Sequence, residues 1–155
     1  MTFTYEKATL DDLELLTETR IEVLRAANQL GPEADLSLVR KESRRYYEAA
    51  LKNGTHCAYL VFDGDQFAGS GGISYYQVMP TVHNPSGWKG YIMNMYTRPA
   101  YRRQGLALHT LELLVQDARN RSITAVSLEA TDSGRPLYQK YGFVDAVHEM
   151  MLPEA

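Results

Sequence analysis

The most informative part of this chain is residues 91–107, which read YIMNMYTRPAYRRQGLA. A β-rich run leads into a turn at Pro99, then into a basic loop that contains Gly105, and then into a long amphipathic helix. The first turn of a helix has unbonded backbone N–H groups and the positive end of the dipole, so it binds anions readily. Gly105 lets the backbone approach an anion closely, and Arg102 and Arg103 supply donors suited to phosphate. The stretch therefore predicts a pyrophosphate-binding loop, with an ordinary solvated helix start as the alternative.

Two common phosphate-binding patterns do not occur in this sequence. It has no G-x-x-x-x-G-K-[ST] P-loop and no G-x-G-x-x-G dinucleotide fingerprint. A second glycine cluster, Gly69–Gly72, lies inside a predicted strand, and no helix follows it. We therefore interpret that cluster as a bulge or a close backbone approach rather than as a second phosphate site.

The composition favours one globular domain over residues 1–155 and argues against several function classes. The 16 Lys and Arg residues against 19 Asp and Glu give a net charge of −3, which disfavours nucleic acid as the main partner. The single cysteine, Cys57, rules out a disulfide framework and suits a reducing cytoplasm. The 4 histidines lie on separate predicted elements, so we expect no metal site. No apolar run is long enough for a membrane span, and the first residues lack a signal-peptide pattern.

The order of predicted elements indicates an α+β fold. The residues Asp63-Gly-Asp separate two β-rich runs and predict a hairpin. The helix that starts at Gly105 lies between two strands and predicts one parallel crossover. The predicted order is a strand over 2–7, a helix capped near Thr9 and ended by Gly31-Pro32, a helix over about 36–51, strands over 56–62 and 67–78, a loop over 79–89, a strand over 91–97, a helix over 105–121, a strand over 123–130, a short helix over 133–141 and a last strand over 143–152.

Three motifs carry a resemblance to a known family. Arg102–Ala107, RRQGLA, resembles the Arg/Gln-x-x-Gly-x-Gly/Ala signature of the GCN5-related N-acetyltransferases, the GNAT family. The preceding YTRPAYR, residues 96–102, resembles the strand-turn pattern V-x-P-x-Y-R of that family. Downstream, LYQKYGF at 137–143 resembles the family's L-Y-x-K-x-G-F helix ending. The motifs occur in the family's order, and the element order over nearly the whole chain is similar too.

The resemblance implies a fold, a cosubstrate and a donor site. The implied fold is a mixed, mostly antiparallel sheet with splayed central strands flanked by helices, and the implied cosubstrate is acetyl-CoA. The thioester would lie in the gap between the strand that ends near Thr97 and the strand that starts near Val126. The amides of residues 103–107 would hold the pyrophosphate, and the strand edge would pair with the pantetheine arm. The implied cofactor-binding residues are Met95, Tyr96, Thr97, Arg102, Arg103, Gln104, Gly105, Leu106 and Ala107.

The resemblance also suggests catalytic side chains. Tyr138 matches the tyrosine proposed as general acid, although packing for shape is an alternative role. Asn94 stands where several family members have a carboxylate, and an amide can orient substrate or water but cannot accept a proton at neutral pH. Glu129 is the carboxylate to test first as general base, with a solvated strand end as the alternative. A water chain, or an acceptor amine that binds neutral, would make a side-chain base unnecessary.

Three functions remain open from the sequence. The first is an N-acetyltransferase that transfers acetyl directly to an amine of a small molecule, peptide or protein in a ternary complex. The second is a CoA-binding or acyl-CoA-sensing module without turnover, and the third is a structural or partner-binding domain. The segment Ala130–Arg135 is shorter than the family's usual loop, which weakens the transfer of that loop's contacts. The acceptor and a homodimer stay undecided; the helix over 36–51 and the loop over 79–89 are the expected acceptor walls.

Overall fold

The computed structural model describes residues 2–154 of the chain. A 3₁₀ turn precedes the first helix and another follows the fourth strand. Thr9 caps the first of these turns, as predicted, since its backbone N–H donates to Asp12 Oδ2 at 2.8 Å and its hydroxyl accepts from Asp11. The elements are β1 (Phe3–Lys7), α1 (Leu13–Ala27), α2 (Ser37–Asn53), β2 (His56–Asp63), β3 (Gln66–Gln77), β4 (Trp88–Thr97), α3 (Leu106–Asn120), β5 (Ala125–Leu128) and α4 (Arg135–Tyr141).

The strands form one five-stranded sheet in the order β1-β2-β3-β4-β5. The first four strands pair antiparallel, and β5 pairs parallel with β4. Helix α3 makes the crossover between these two strands, because parallel neighbours need a long connection. The α+β class, the hairpin at Gly64 and the single parallel crossover are therefore confirmed.

Helices cover both faces of the sheet, and the alternation of strand side chains assigns each residue to one face. On one face, Leu111 of α3 packs in a buried cluster with Ile73 of β3. On the other face, Leu16 of α1 and Tyr47 of α2 pack in a cluster with Leu60 of β2. Strand β4 lies between the two layers, so its side chains reach both of them.

The glycines of β3 allow close approach of its neighbours, as predicted. A Cβ added at Gly71 would lie 2.6 Å from the Met95 sulfur and 2.7 Å from a methyl carbon of Thr110. A Cβ at Gly69 would lie 2.6 Å from the Tyr96 carbonyl oxygen. The ladder with β4 also shifts register between Ser70 and Gly72, which is a β-bulge.

The strand predicted over 143–152 is wrong. No strand forms between 142 and 154, and the sheet ends at β5. Apolar residues of β-forming type become a strand only when a neighbouring strand offers a ladder, and β5 is just 4 residues long. The side chains of this segment stay in solvent instead: Val144, Val147, Met150, Met151 and Leu152 are 80–94% exposed.

Two strand boundaries also differ from the prediction. Strand β4 begins at Trp88, inside the segment predicted as a loop over 79–89, because its first residues pair with both β3 and β5. Strand β5 spans Ala125–Leu128 rather than 123–130, because its pairing with β4 stops at Leu128. The strands that pair with β4 and β5 thus determine where β4 begins and where β5 ends.

Cys57 is a buried strand residue, as predicted. Its side chain is 1% exposed and packs in the α3-facing cluster. Burial raises the pKa of its thiol to about 12. Within residues 2–154, no helix has the length and apolar character needed to cross a bilayer.

Candidate active site

The loop between β4 and α3 presents open backbone donors. Arg103 has a φ of 62° and Gly105 a φ of 84°, both in the left-handed region, and α3 begins at Leu106. No acceptor within residues 2–154 takes a backbone hydrogen bond from the N–H groups of residues 103–108. The helix dipole adds positive potential at the same place. The open donors therefore lie where the sequence predicts an anion-binding loop, and that binding role stays a prediction.

Tyr101 and Leu106 anchor the two ends of this loop. The Tyr101 hydroxyl donates to Asp63 Oδ2 at 2.9 Å, and its ring meets Phe3 edge-on with centroids 5.7 Å apart. Leu106 is 2% exposed and packs in one cluster with Val61 of β2. The loop is therefore fixed to the sheet at both ends, while the N–H groups between them have no backbone acceptor in the described chain.

The side chains of the loop leave room for a charged ligand. Arg102, Arg103 and Gln104 are exposed, and Ala107 is half-buried in the first turn of α3. The Arg102 Nε donates to the Thr97 carbonyl oxygen at 3.2 Å, which holds this guanidinium beside the end of β4. A Cβ added at Gly105 would meet no atom within 4 Å. Space and positive charge thus coincide at the helix start.

Strands β4 and β5 part in the middle of β4. Their parallel ladder runs from Lys89↔Ala125 to Ile92↔Leu128 and goes no further. Beyond it, Met95, Tyr96 and Thr97 are half-buried, and β4 keeps its ladder with β3 only. The edge of β4 that faces away from β3 is therefore open along residues 93–97. This opening leads to the loop described above and confirms the predicted splay.

A β-bulge at Asn94 lies just past the point where the ladder between β4 and β5 ends. Ser70 pairs with Tyr96 and Gly72 with Met93, so two residues of β4 stand against one of β3. Asn94 has a φ of 61°, a conformation that asparagine tolerates better than most residues. The backbone conformation at the bulge is therefore sufficient to explain an asparagine at this position.

Tyr138 lies in the α3-facing core next to the opening. It is 9% exposed and shares a cluster with Ile92, against which Met95 also packs. Its ring meets Phe143 edge-on at 6.0 Å. Among residues 2–154 the Tyr138 hydroxyl has no hydrogen-bond partner, and burial raises its pKa. A phenol in this environment stays protonated and available as a donor.

The Asn94 side chain is held on the opposite face, towards α1 and α2. Its Oδ1 accepts a hydrogen bond from Arg20 Nη1 at 3.1 Å, and its Nδ2 donates to the Tyr47 hydroxyl at 3.4 Å. Its backbone carbonyl accepts from Ser70 Oγ at 3.1 Å. The side chain is a fixed dipole with both of its polar atoms engaged.

Glu129 is exposed and follows directly after β5. Burial is the main cause of a raised pKa at Tyr91, and the nearby Glu129 carboxylate adds to it. No hydrogen bond within the described chain joins Glu129 to Asn94 or Tyr138. The structure does not join these side chains, so the role of Glu129 stays a prediction.

Arg20 and Tyr47 are site residues that sequence reasoning missed. Arg20 comes four residues after the buried Leu16, so helical periodicity places it near the sheet-facing side of α1. Its contact with Asn94 spans 74 positions in the chain. Periodicity could have marked Arg20 as partly buried, but no local signal names its partner.

Comparisons with known proteins agree with this geometry. A family model for the acetyltransferase (GNAT) family matches residues 22–143. An uncharacterised N-acetyltransferase of Escherichia coli (strain K12), YedL, is 33% identical over 100 residues, which are 61% of this chain. The match spans 57% of the length of that curated relative.

Solved structures share the fold over nearly the whole chain. A predicted acetyltransferase from Clostridium acetobutylicum, solved with acetyl-CoA, has a TM-score of 0.88 and 34% identity, covering 98% of this chain and 96% of its own. A GCN5-related N-acetyltransferase from Ralstonia eutropha JMP134 has a TM-score of 0.83 at 24% identity, covering 99% of each chain, and supports the fold alone. Motifs, fold and family match agree: the chain belongs to the GNAT acetyltransferase family.

Proposed function

We propose that this protein transfers the acetyl group of acetyl-CoA to an amine acceptor. The observation that carries the proposal is the opening between β4 and β5, which leads directly to the open amides of residues 103–108. A pantetheine arm is a chain with amide groups, so it fits the open strand edge. A pyrophosphate fits unbonded N–H groups at a helix start.

The donor site we propose has three parts. The edge of β4 at Met95, Tyr96 and Thr97 pairs with the pantetheine arm. The amides of Arg103, Gln104, Gly105, Leu106 and Ala107 bind the pyrophosphate, and the guanidinium groups of Arg102 and Arg103 add charge at the open side. The crystal structure of the Clostridium relative with acetyl-CoA supports this cosubstrate.

In the reaction we propose, the amine attacks the thioester carbonyl directly. A C–N bond forms, the C–S bond breaks, and the thiolate leaves with a proton donated by Tyr138. The nitrogen loses its own proton to a base. Positioning of the two substrates in one ternary complex supplies much of the rate, because it removes the entropy cost of their encounter.

Proton removal from the acceptor nitrogen needs a base, and Asn94 and Glu129 are the two side chains considered for this step. The Asn94 amide cannot accept the proton. Arg20 and Tyr47 hold it in place, and its second lone pair and second N–H can still orient the acceptor or a water. Glu129 is the carboxylate we would test, as Glu129→Gln. A variant with unchanged turnover would assign proton removal to water or to an amine that binds neutral.

The first experiment measures the thermal midpoint with and without acetyl-CoA. At about 100 times its dissociation constant, a ligand adds roughly 2.7 kcal/mol, which is several degrees for a domain of this size. Gly105→Trp should abolish the rise by blocking the loop. Gly54→Trp is the matched control, because both glycines are left-handed, exposed and without an atom within 4 Å of an added Cβ. No rise in the unaltered protein with any acyl-CoA or CoA at millimolar concentration would overturn the donor site.

Acyl-CoA sensing without turnover is the second candidate, because an amide stands at Asn94 where a base would help. Tyr138→Phe separates the two functions. In an enzyme this variant should lose about 10²-fold or more in kcat while the midpoint rise with acetyl-CoA persists. Tyr141→Phe, one turn on in α4 and also packed against Phe143, is the matched control.

Self-association also stays a proposal. Strand β5 is an edge strand, and the following segment exposes Val144, Met150 and Leu152 at 89–94%. Exposed edges and apolar side chains favour a second copy. Sedimentation of the protein and of a Met150→Ser, Leu152→Ser double variant tests this; a monomer at every concentration would contradict it.

A further inference from the structure

Arg20 is a partly buried cation whose one side-chain hydrogen bond within residues 2–154 goes to a neutral group. Its Nη1 donates to Asn94 Oδ1 at 3.1 Å. No carboxylate in the described part of the chain forms an ion pair with it. A guanidinium has five N–H donors, so this arrangement leaves most of its hydrogen-bonding capacity unused.

The acidic residues of α1 are committed to other arginines. Glu14 pairs with Arg44 at 2.8 Å, Glu18 pairs with Arg40, and Glu22 pairs with Arg98 at 2.8 Å. These are all of the acidic residues in the helix. The helix that carries Arg20 therefore provides no counter-ion for it.

The charge of Arg20 acts on two titratable side chains, Tyr47 and His56, and both are neutral at pH 7. Burial raises the pKa of Tyr47 to about 12. Burial, together with the charges of Arg20 and Arg121, lowers the pKa of His56 to about 4. Tyr46 and His56 bond to each other at 2.9 Å. Arg20 thus has neutral neighbours at Asn94, Tyr47 and His56, and no carboxylate of the described chain pairs with it.

The position of Arg20 suits contact with the acceptor rather than with the donor. The donor anion fits the loop at the start of α3, on one side of the sheet. Arg20 lies on the other side, towards α1 and α2, and reaches β4 at Asn94. The next residue, Met95, lies on the strand edge where the thioester arm is proposed to bind. A second substrate that approaches from the α1 and α2 side would place its polar group near Arg20.

We propose that Arg20 selects an acceptor that carries a carboxylate near its amine, as a free amino acid does. This rests on the proposed function. The planar guanidinium can bind both carboxylate oxygens in parallel, while Asn94 and Tyr47 fix its orientation. The overall net charge of −3 suggests cationic acceptors. The positive charge of Arg20 lies much closer to the proposed acceptor position, so its effect on acceptor choice should exceed that of the net charge.

The experiment compares matched pairs of acceptors on the protein saturated with CoA or acetyl-CoA. Each pair is an α-amino acid and its primary amide, covering the twenty common side chains, so that only the carboxylate changes. Binding is followed by the thermal midpoint of the CoA complex, and turnover by mass spectrometry of the acetylated product. We expect at least one acid to exceed its amide about tenfold or more in kcat/KM, as a charge-assisted pair provides.

Variants at Arg20 separate selection from structure. Arg20→Gln keeps a donor for Asn94 but removes the charge. Its kcat/KM should therefore fall about tenfold for acids and less than twofold for amides. Arg20→Lys should recover part of the preference. Arg119→Gln, at an exposed position near the end of α3, is the control and should leave the preference unchanged.

The outcomes distinguish this inference from the function it rests on. Three outcomes would overturn the role of Arg20. They are equal binding of acids and amides, no binding by any member of the panel, and an equal loss of kcat/KM for acids and amides in Arg20→Gln. In each of those cases the midpoint would still rise with acetyl-CoA. No rise with acetyl-CoA would overturn the proposed function itself.

Discussion

The Tyr75 hydroxyl donates a hydrogen bond of 2.7 Å to the Asp117 carboxylate inside the molecule. Asp117 is 8% exposed and also accepts from Lys7 at 3.0 Å and from Arg121 at 2.9 Å. The Arg121 guanidinium lies over the Tyr75 ring at 4.1 Å. One carboxylate thus joins β1, β3 and the end of α3, the helix whose start forms the candidate donor loop.

Replacing Asp117 should destabilise the fold. Asp117→Asn removes the charge that neutralises two cations, and we expect a loss of about 2–4 kcal/mol in the free energy of unfolding. Tyr75→Phe removes one hydrogen bond and should cost about 1 kcal/mol. Urea unfolding monitored by circular dichroism measures both. A smaller loss for Asp117→Asn than for Tyr75→Phe would show that the ion pairs contribute little.

The same carboxylate should make stability depend on pH in the acid range. Burial opposes ionisation of Asp117, but hydrogen bonds from Tyr75 and Lys7 and the charge of Arg121 outweigh it and lower its pKa. The stabilisation is complete above the unfolded pKa of about 3.9 and is lost as pH falls through the lower folded pKa. The difference in unfolding free energy between the protein and Asp117→Asn should therefore shrink below about pH 4. A constant difference from pH 7 to pH 3 would contradict this assignment.

The pH profile of turnover should reflect the buried Tyr138. Because burial raises the pKa of its phenol, the acid keeps its proton beyond its ordinary pKa of about 10. We expect kcat to rise as the acceptor amine loses its proton and to show no alkaline fall below about pH 10. Stopped assays across pH 6–10 test this. A fall centred near pH 8 that disappears in Tyr138→Phe would mean that the phenol ionises early.

Gly71→Ala should destabilise the bulged part of the sheet. The new methyl group would lie 2.6 Å from the Met95 sulfur and 2.7 Å from a Thr110 methyl carbon. Overpacking of this kind costs about 1–3 kcal/mol, and displacement of Met95 should weaken acetyl-CoA binding as well. Gly31→Ala is the control, since the nearest atoms to its methyl group belong to the flexible carboxylate of Glu33. The denaturant midpoint and the acetyl-CoA affinity should both fall in Gly71→Ala and stay close to those of the unaltered protein in Gly31→Ala.

Arg98→Lys should show that the end of β4 needs a guanidinium. Arg98 donates to both oxygens of Glu22 at 2.8 and 2.9 Å, to the Phe67 carbonyl oxygen at 2.9 Å, and lies 5.0 Å from the centre of the Phe67 ring. Lysine keeps the charge but cannot form the paired contact, so we expect a loss of roughly 1–2 kcal/mol. Arg44→Lys, in an exposed pair with Glu14, should change stability by less than about 0.5 kcal/mol. Equal effects in urea would refute the comparison.

The parts of the fold that local chemistry determines were predictable. The turn at Gly64 requires a positive φ, and glycine adopts it, with a φ of 62°. The loop at Arg103 and Gly105 is also local, because the open amides follow from the start of a helix. For this reason the candidate donor site follows from a few consecutive residues.

The parts that depend on distant partners were not predictable. The segment over 143–152 has the composition of a strand, but no ladder forms there in the described chain. Arg20 and Asn94 meet across 74 positions, and no local pattern signals that contact. The candidate acceptor side is assembled in this way from α1, α2 and β4, so its chemistry appears only once the chain is folded.

Cys57 makes this protein convenient for spectroscopy. It is the only cysteine in the sequence, it is 1% exposed, and burial raises its pKa to about 12, so maleimide reagents should not modify it in the folded state. A cysteine introduced at an exposed position outside the proposed donor residues, such as Ala100 before the loop or Glu149 after α4, could carry a fluorophore or spin label without removing the native one. Motions of the loop and of the segment after α4 can therefore be followed in the otherwise unaltered chain.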